Sequence, residues 1–146
     1  MRKLSFHLLE PLRFPLINRF YKAYYPAGKA KRDETIWIGE DNSGIQCCVR
    51  FKHFEDYQLL TGMLVHPEQR GQGQGQQLLS AANSQIVAVP CYCFAFDYLE
   101  SFYQAAGFQT LPIEALPEPL RSRLSRYQGS GKALIPMRYN NNKADN

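Results

Sequence analysis

The sequence predicts a single α/β domain, of the α+β kind, in which helices flank a mixed, mostly antiparallel sheet. Strand-like and helix-like periodicities alternate along nearly the whole of the 146 residues. Three successive strand patterns between 35 and 65 are joined by tight turns, which makes an antiparallel meander. No linker, internal repeat or low-complexity stretch divides the chain, and its length suffices for one real core.

Residues 3–9 read as a first strand. From Pro11 to Tyr25, Leu16, Phe20 and Tyr24 recur every four residues, a helical spacing ended by Pro26 and Gly28. Residues 29–34, Lys-Ala-Lys-Arg-Asp-Glu, read as a solvated charged connector. Thr35 to Glu40 is strand-like, and Asp41-Asn42-Ser43-Gly44 is a turn. Ile45, Cys47, Val49 and Phe51 then alternate with Gln46, Cys48, Arg50 and Lys52, the pattern of a half-exposed hairpin strand. His53 to Asp56 turns into the third strand, Tyr57 to Val65, where Gly62 points to a bulge.

The second half continues with a helix from about Gln72 to Asn83, its buried stripe Leu78, Leu79 and Ala82. Val87 to Phe96 reads as a fifth strand. Tyr98 to Ala106 is a short helix with Leu99, Phe102 and Ala106 inward, Asp97 as N-cap and Gly107 as the C-terminal glycine. Phe108 to Leu111 is strand-like, Pro117 to Tyr127 is a helix turning Leu120 and Leu124 inward, and Lys132 to Tyr139 is the last strand. The domain spans 1–139, and Asn140 to Asn146 reads as a disordered polar tail.

Composition narrows the function. A net charge of +4 is mild for a nucleic-acid binder, which concentrates basic charge on one face. It suits a few cations around a polyanionic cofactor. No apolar run reaches the roughly 18 residues of a membrane span, and the first residues lack the apolar stretch of a signal peptide. The four cysteines, Cys47, Cys48, Cys91 and Cys93, form no C-x-x-C and no metal spacing with histidine. No metal is expected, and buried reduced thiols fit a cytoplasmic protein.

The most informative stretch is Leu64-Val65-His66-Pro67-Glu68-Gln69-Arg70-Gly71-Gln72-Gly73-Gln74-Gly75-Gln76-Gln77-Leu78-Leu79. An apolar strand meets a proline turn, a glycine-dense loop and an opening helix. Glycines let a ligand approach bare N–H groups, and a helix start supplies unpaired donors and partial positive charge. The result is an anion cradle with Arg70 at its rim. It is not the dinucleotide G-x-G-x-x-G, because the sixth position from Gly71 is Gln76. It is not a nucleotide P-loop either: the Gly-Lys pair at 131–132 has Arg126 where the first glycine belongs.

Arg-Gly-x-Gly-x-Gly directly after Val-x-Pro resembles the coenzyme A pyrophosphate loop of the GCN5-related N-acetyltransferase (GNAT) family. A second block, Leu99-Glu100-Ser101-Phe102-Tyr103-Gln104-Ala105-Ala106-Gly107-Phe108, resembles the family's L-Y-x-x-x-G-F segment. The resemblance is strong from 57 to 111 and follows element order elsewhere. It implies the single-domain acyl-CoA N-acyltransferase fold, whose twisted sheet is splayed at its centre and takes the pantetheine arm in the gap. It also implies acetyl-CoA as cosubstrate, held by Leu64, Val65, Arg70, Gly71, Gln72, Gly73, Gln74, Gly75 and Gln76. Leu64 or Val65 would offer the backbone N–H for the acetyl oxygen.

The resemblance makes Tyr103 the catalytic general acid. Acetyl transfer to an amine passes through a tetrahedral intermediate and expels a thiolate, which leaves more easily with a proton donor in reach. Direct attack on acetyl-CoA by a primary amine is the expected reaction. The alternative is a non-catalytic acyl-CoA-binding regulatory domain on the same fold. No base is assigned among His53, Glu55, Asp56, His66 and water. The family's asparagine seven residues before the tyrosine is Phe96 here. The acceptor, a small molecule or a peptide, stays open, with Tyr21, Tyr24, Tyr25 and Arg32 as candidate lining residues. No nucleic acid or membrane partner is expected, and a homodimer is common among relatives.

Overall fold

The computed structural model describes residues 3–140. Its strands are β1 (Ser5–Leu8), β2 (Thr35–Asp41), β3 (Gly44–His53), β4 (Gln58–Val65), β5 (Cys91–Phe96), β6 (Phe108–Thr110) and β7 (Leu134–Tyr139). Its α-helices are α1 (Phe14–Tyr24), α2 (Gln74–Ala81), α3 (Asn83–Ala88), α4 (Glu100–Ala105) and α5 (Glu118–Gly129). One sheet holds the strands in the order β1-β2-β3-β4-β5-β7-β6. Every neighbouring pair is antiparallel except β4 and β5, which run parallel.

That parallel pairing is short. Gln58, Leu59 and Leu60 face Cys91, Tyr92 and Cys93, and then the strands part. Thr61 onward pairs only with β3, and Phe94 to Phe96 only with β7. The sheet is therefore splayed at its middle. Cys48 pairs with Leu64 and Arg50 with Thr61, so Gly62 and Met63 stand opposite the single residue Val49. This is the bulge expected at Gly62, whose φ of +66° suits glycine. A bulge bends and twists its strand, and here it falls where β4 leaves β5.

Both faces of the sheet are covered. On one face Leu78, Leu79, Ala82, Ile86 and Tyr103 pack against Cys47, Val49, Phe51 and Cys93. On the other, Ile17, Phe20 and Tyr21 of α1 meet Ile36, Ile38, Cys48 and Leu64. Leu120 and Leu124 of α5 meet Leu59 and Tyr92 on that same second face. As expected, adjacent Cys47 and Cys48 enter opposite cores, and Cys91 and Cys93 share one.

The structure corrects four readings. β3 is not half exposed: Gln46, Cys48 and Arg50 are buried as well as the apolar set, because α1 lies over their face. Val87 and Ala88 belong to α3, not to a strand. Leu78, Ala82 and Ile86 continue the fourfold helical spacing, and β5 begins only after Pro90, which breaks the ladder. Asp97 does not cap α4; no side chain caps the 3-10 turn that leads into it, and the Asp97 amide donates to Ala133 O at 3.1 Å. α2 is also shorter than the 72–83 expected. At the far end the Asn140 amide donates to Gly107 O at 2.9 Å, and the rest of the expected tail, 141–146, lies outside the described residues.

Glu40 ties β1 and the turn before α1 to the sheet. Its carboxylate accepts from Arg13 Nη1 and Nη2 at 2.9 and 2.6 Å and meets His7 Nε2 at 2.6 Å. The Arg13 hydrogen bonds outweigh partial burial and hold Glu40 below the usual carboxylate range. A depressed carboxyl stabilises the fold above its unfolded pKa and loses that contribution as pH falls through the folded value. Glu40→Gln is therefore expected to lower the urea midpoint at pH 7. The gap to the parent closes below about pH 4, which a pH series of urea melts measures.

Candidate active site

The chain leaves β4 through a 3-10 turn at Pro67–Gln69, where His66 Nδ1 accepts from Glu68 N at 3.1 Å. Gly71 and Gly73 then take φ values of +81° and +78°. A Cβ on either would meet nothing within 4 Å, so the space above them is open. α2 starts without a side-chain cap, and its first ladder bond runs from Gln77 N to Gly73 O at 3.1 Å. The amides of its first turn have no place in the helix ladder and carry partial positive charge. Exposed Arg70 stands beside them, its Nε donating to Val65 O at 3.3 Å. Bare amides, open space and a neighbouring cation are the parts of an anion cradle.

Beneath the loop lies a pair that motif reading passes over. Gln69 and Gln74 are buried, and Gln74 Nε2 donates to Gln69 Oε1 at 3.1 Å. The bond closes the loop across its two ends. Gln74 Oε1 is buried without a partner among the described residues. Two expected cofactor contacts also face inward. A Cβ on Gly75 would come within 2.9 Å of Phe102 Cζ, and Gln76 Nε2 donates to Phe102 O at 2.7 Å. Their side positions fasten α2 to α4, which leaves only their amides for a ligand.

Val65 and Leu64 separate on backbone geometry. His66 N donates to Gln46 O at 2.7 Å, which makes His66 and Gln46 a hydrogen-bonded pair. Antiparallel ladders alternate, so the next such pair is Leu64 with Cys48, and Val65 between them turns its N–H and C=O away from β3. That side is the gap left by β5. Leu64 sends its side chain into the core under α1.

Tyr103 stands on the opposite face of the sheet from α1. It is 5% exposed, with edge-on contacts to Phe102 at 5.0 Å and Phe108 at 5.8 Å between ring centroids. Burial, and then the nearby Cys93 thiol, push its phenol far above the ordinary tyrosine value. Cys93 faces Leu60 in the last β4–β5 pair before the splay. A protonated phenol thus sits by the apex of the gap, and Phe102 links it to the start of α2.

Residues 32–110, more than half of the chain, match the family model described as an acetyltransferase (GNAT) domain. The chain belongs to the GNAT family. No curated protein matches its sequence. Among solved structures it is similar to N-acetylglutamate synthase from Neisseria gonorrhoeae in complex with coenzyme A and N-acetyl-glutamate. The TM-score is 0.70 at 16% identity over 95% of this chain and 35% of that one. The chain thus spans about a third of the synthase. ElaA of Escherichia coli gives a TM-score of 0.66 at 17% identity, over 94% and 100% of the two chains. The ribosomal-protein-S18-alanine N-acetyltransferase of Escherichia coli gives 0.64 at 14%, over 94% and 93%. At these identities the likeness is one of fold.

Within this GNAT domain the expected connector 29–34 is not simply solvated. Ala30 is buried, and the Glu34 side chain is 3% exposed, paired with Arg50 Nη1 at 2.9 Å. Arg50 Nη1 also donates to Lys29 O at 2.6 Å, and its Nε to Tyr21 Oη at 3.2 Å. Tyr21 donates in turn to Gly62 O at 2.6 Å. Tyr21 is fully buried and is therefore no exposed wall for an acceptor, whereas Tyr24 is 39% exposed and meets the His66 ring at 4.4 Å, tilted by 53°. Arg32 lies over the Phe14 ring at 4.5 Å. His53 Nε2 meets Thr35 Oγ1 at 2.6 Å. No helix among the described residues is long and apolar enough to cross a membrane.

Proposed function

We propose that this GNAT domain transfers the acetyl group of acetyl-CoA to a primary amine by direct attack. The observation that carries the reading is the meeting of three features. An amide-lined loop opens outward at the start of α2, the gap between β4 and β5 widens toward it, and a buried protonated phenol stands at the apex of that gap. Arg70 and the amides of Gly71, Gln72, Gly73, Gln74, Gly75 and Gln76 hold the diphosphate. The N–H of Val65 receives the acetyl oxygen as it gains charge, and Leu64 fixes the strand that aims it. Tyr103 gives its proton to the departing thiolate.

The thiols of the domain support both the acid and the direct route. Burial pushes Cys47, Cys48 and Cys91 up to about 12, and Cys93 well above the ordinary thiol value. None of them is a thiolate at neutral pH, so none offers a ready nucleophile for a covalent intermediate. The same burial acts on a thiolate born in the gap. It raises the basicity of the leaving sulfur and so narrows the difference from the Tyr103 phenol.

Gly73→Val tests the loop. Valine is strained at φ near +78°, at a cost of about 1–2 kcal/mol, yet its side chain enters open space. The variant is expected to fold, with its Kd for acetyl-CoA raised at least tenfold in calorimetric titration. Unchanged affinity overturns the assignment of the loop.

A further inference from the structure

Strand alternation gives β5 two unlike faces. Cys91, Cys93 and Ala95 enter the core under α2 and α4, while Tyr92 and Phe94 face α5. Phe96, two residues beyond Phe94, continues that second face. The result is an aromatic ladder, half of it beyond the point where β4 departs. α5 and Tyr57 cover Tyr92, which is 6% exposed. Phe94 meets Tyr127 edge-on at 6.3 Å, and Phe96 stacks on Tyr98 at 5.7 Å with the rings 15° apart. Tyr98 is 74% exposed. Parallel β4 ends at the same end of the sheet, where the tilted rings of Tyr24 and His66 meet on the α1 side of the gap.

The phosphate loop and Tyr103 belong to the α2 and α4 face. A thioester carrier gripped there and passed through the gap presents its carbonyl to the opposite face, between these two sets of rings. At the Phe96–Tyr98 end an acceptor approaching that carbonyl meets a flat π surface. The cations of this face, Arg123, Lys132 and Arg138, sit on the Tyr127 and Tyr92 rings, and among the described residues no cation contact is recorded against Phe96 or Tyr98. Stacked aromatic side chains gain most from another ring, offset or edge-on.

Resting on the acetyl-transfer reading, we propose that the acceptor is a primary amine carrying an aromatic ring on a short linker, its ring seated against Phe96 and Tyr98. These two are specificity residues and take no part in the chemistry.

The test uses the full chain with acetyl-CoA and follows release of free thiol. Benzylamine, 2-phenylethylamine and tryptamine are compared with hexylamine, spermidine and glutamate. The aryl amines are expected to exceed hexylamine at least tenfold in kcat/KM. Tyr98→Ala, at an exposed site, and Phe96→Ala, checked by thermal melting, raise the KM for 2-phenylethylamine five- to tenfold. Both leave the KM for acetyl-CoA within twofold. Equal use of hexylamine, preference for spermidine or glutamate, or a rise confined to the acetyl-CoA KM overturns the proposal while transfer itself stands. Binding of acetyl-CoA without thiol release from any amine overturns the transferase reading instead. In that case calorimetric titration of 2-phenylethylamine into the coenzyme A complex still decides the seat: heat lost in Tyr98→Ala supports it, and no heat with the parent overturns it.

Discussion

Replacing Tyr103 by phenylalanine is expected to lower kcat by about 10²–10⁴-fold while the Kd for acetyl-CoA moves by less than twofold. The magnitude is the usual worth of a positioned general acid. The substitution is nearly isosteric, and the ring contacts to Phe102 and Phe108 are kept. Among the described residues the hydroxyl has no hydrogen-bond partner to lose, so its removal from an apolar site leaves stability close to the parent. The pH profile gives an independent readout. Burial holds the phenol protonated through the whole accessible range, so the parent shows no alkaline loss of kcat attributable to this group. Single-turnover thiol release and calorimetry on the same preparation check both halves. A variant with full kcat removes Tyr103 from the chemistry. A parent that binds acetyl-CoA and never turns over with any amine leaves the binding-domain reading in its place.

What was legible in the chain was what is local in it. The glycine loop is contiguous: strand, proline, glycines and helix start follow one another within sixteen residues, and each carries its own conformational signal. Tyr103 is fixed by a glycine four residues on, whose φ of +105° ends α4. The bulge at Gly62 was legible because a lone glycine inside a strand has few other uses. Long-range partners were not. Alternation along β3 separates two faces but says nothing of what covers each, so Arg50 read as a solvated residue. Glu34 is 16 residues away in sequence, Tyr21 is 29, and the Tyr21 to Gly62 bond spans 41. No motif scan joins such positions; only the register of β3 on β4 and the seat of α1 bring them together. The residues after Asn83 read as strand for a related reason: Ile86, Val87 and Val89 are β-branched, while the helical spacing from Leu78 to Ile86 shows only once a buried face exists.

That hidden cluster makes the second large prediction. Glu34→Ala strips the Arg50 guanidinium of its only carboxylate among the described residues and leaves the cation with Lys29 O and Tyr21 Oη as acceptors. Both side chains are at most 10% exposed. Removing one partner of a buried pair costs about 3–5 kcal/mol, most of it the burden of an uncompensated charge. For a chain of this length that is a fall in Tm on the order of 10 °C, read by calorimetry or a thermal melt. The damage also has a direction. Arg50 Nε holds Tyr21, and Tyr21 holds the carbonyl of Gly62, the left-handed residue of the bulge. Gly62 has no room for a side chain there: a Cβ would come within 2.5 Å of Arg50 Nε and 2.7 Å of Tyr21 Oη. The bulge sets where β4 leaves β5, and therefore where the Val65 amide points. At a temperature where Glu34→Ala is fully folded, kcat is expected to fall more than the Kd for acetyl-CoA rises, because the glycine loop proposed to grip the diphosphate lies beyond the bulge and keeps its own bonds. Glu34→Gln, which retains an acceptor for Arg50, recovers part of both stability and kcat. A Glu34→Ala protein with the parent's Tm shows that the pair contributes nothing net. An acetyl-CoA affinity that collapses while kcat holds shows that the cluster acts on the loop and not on the gap.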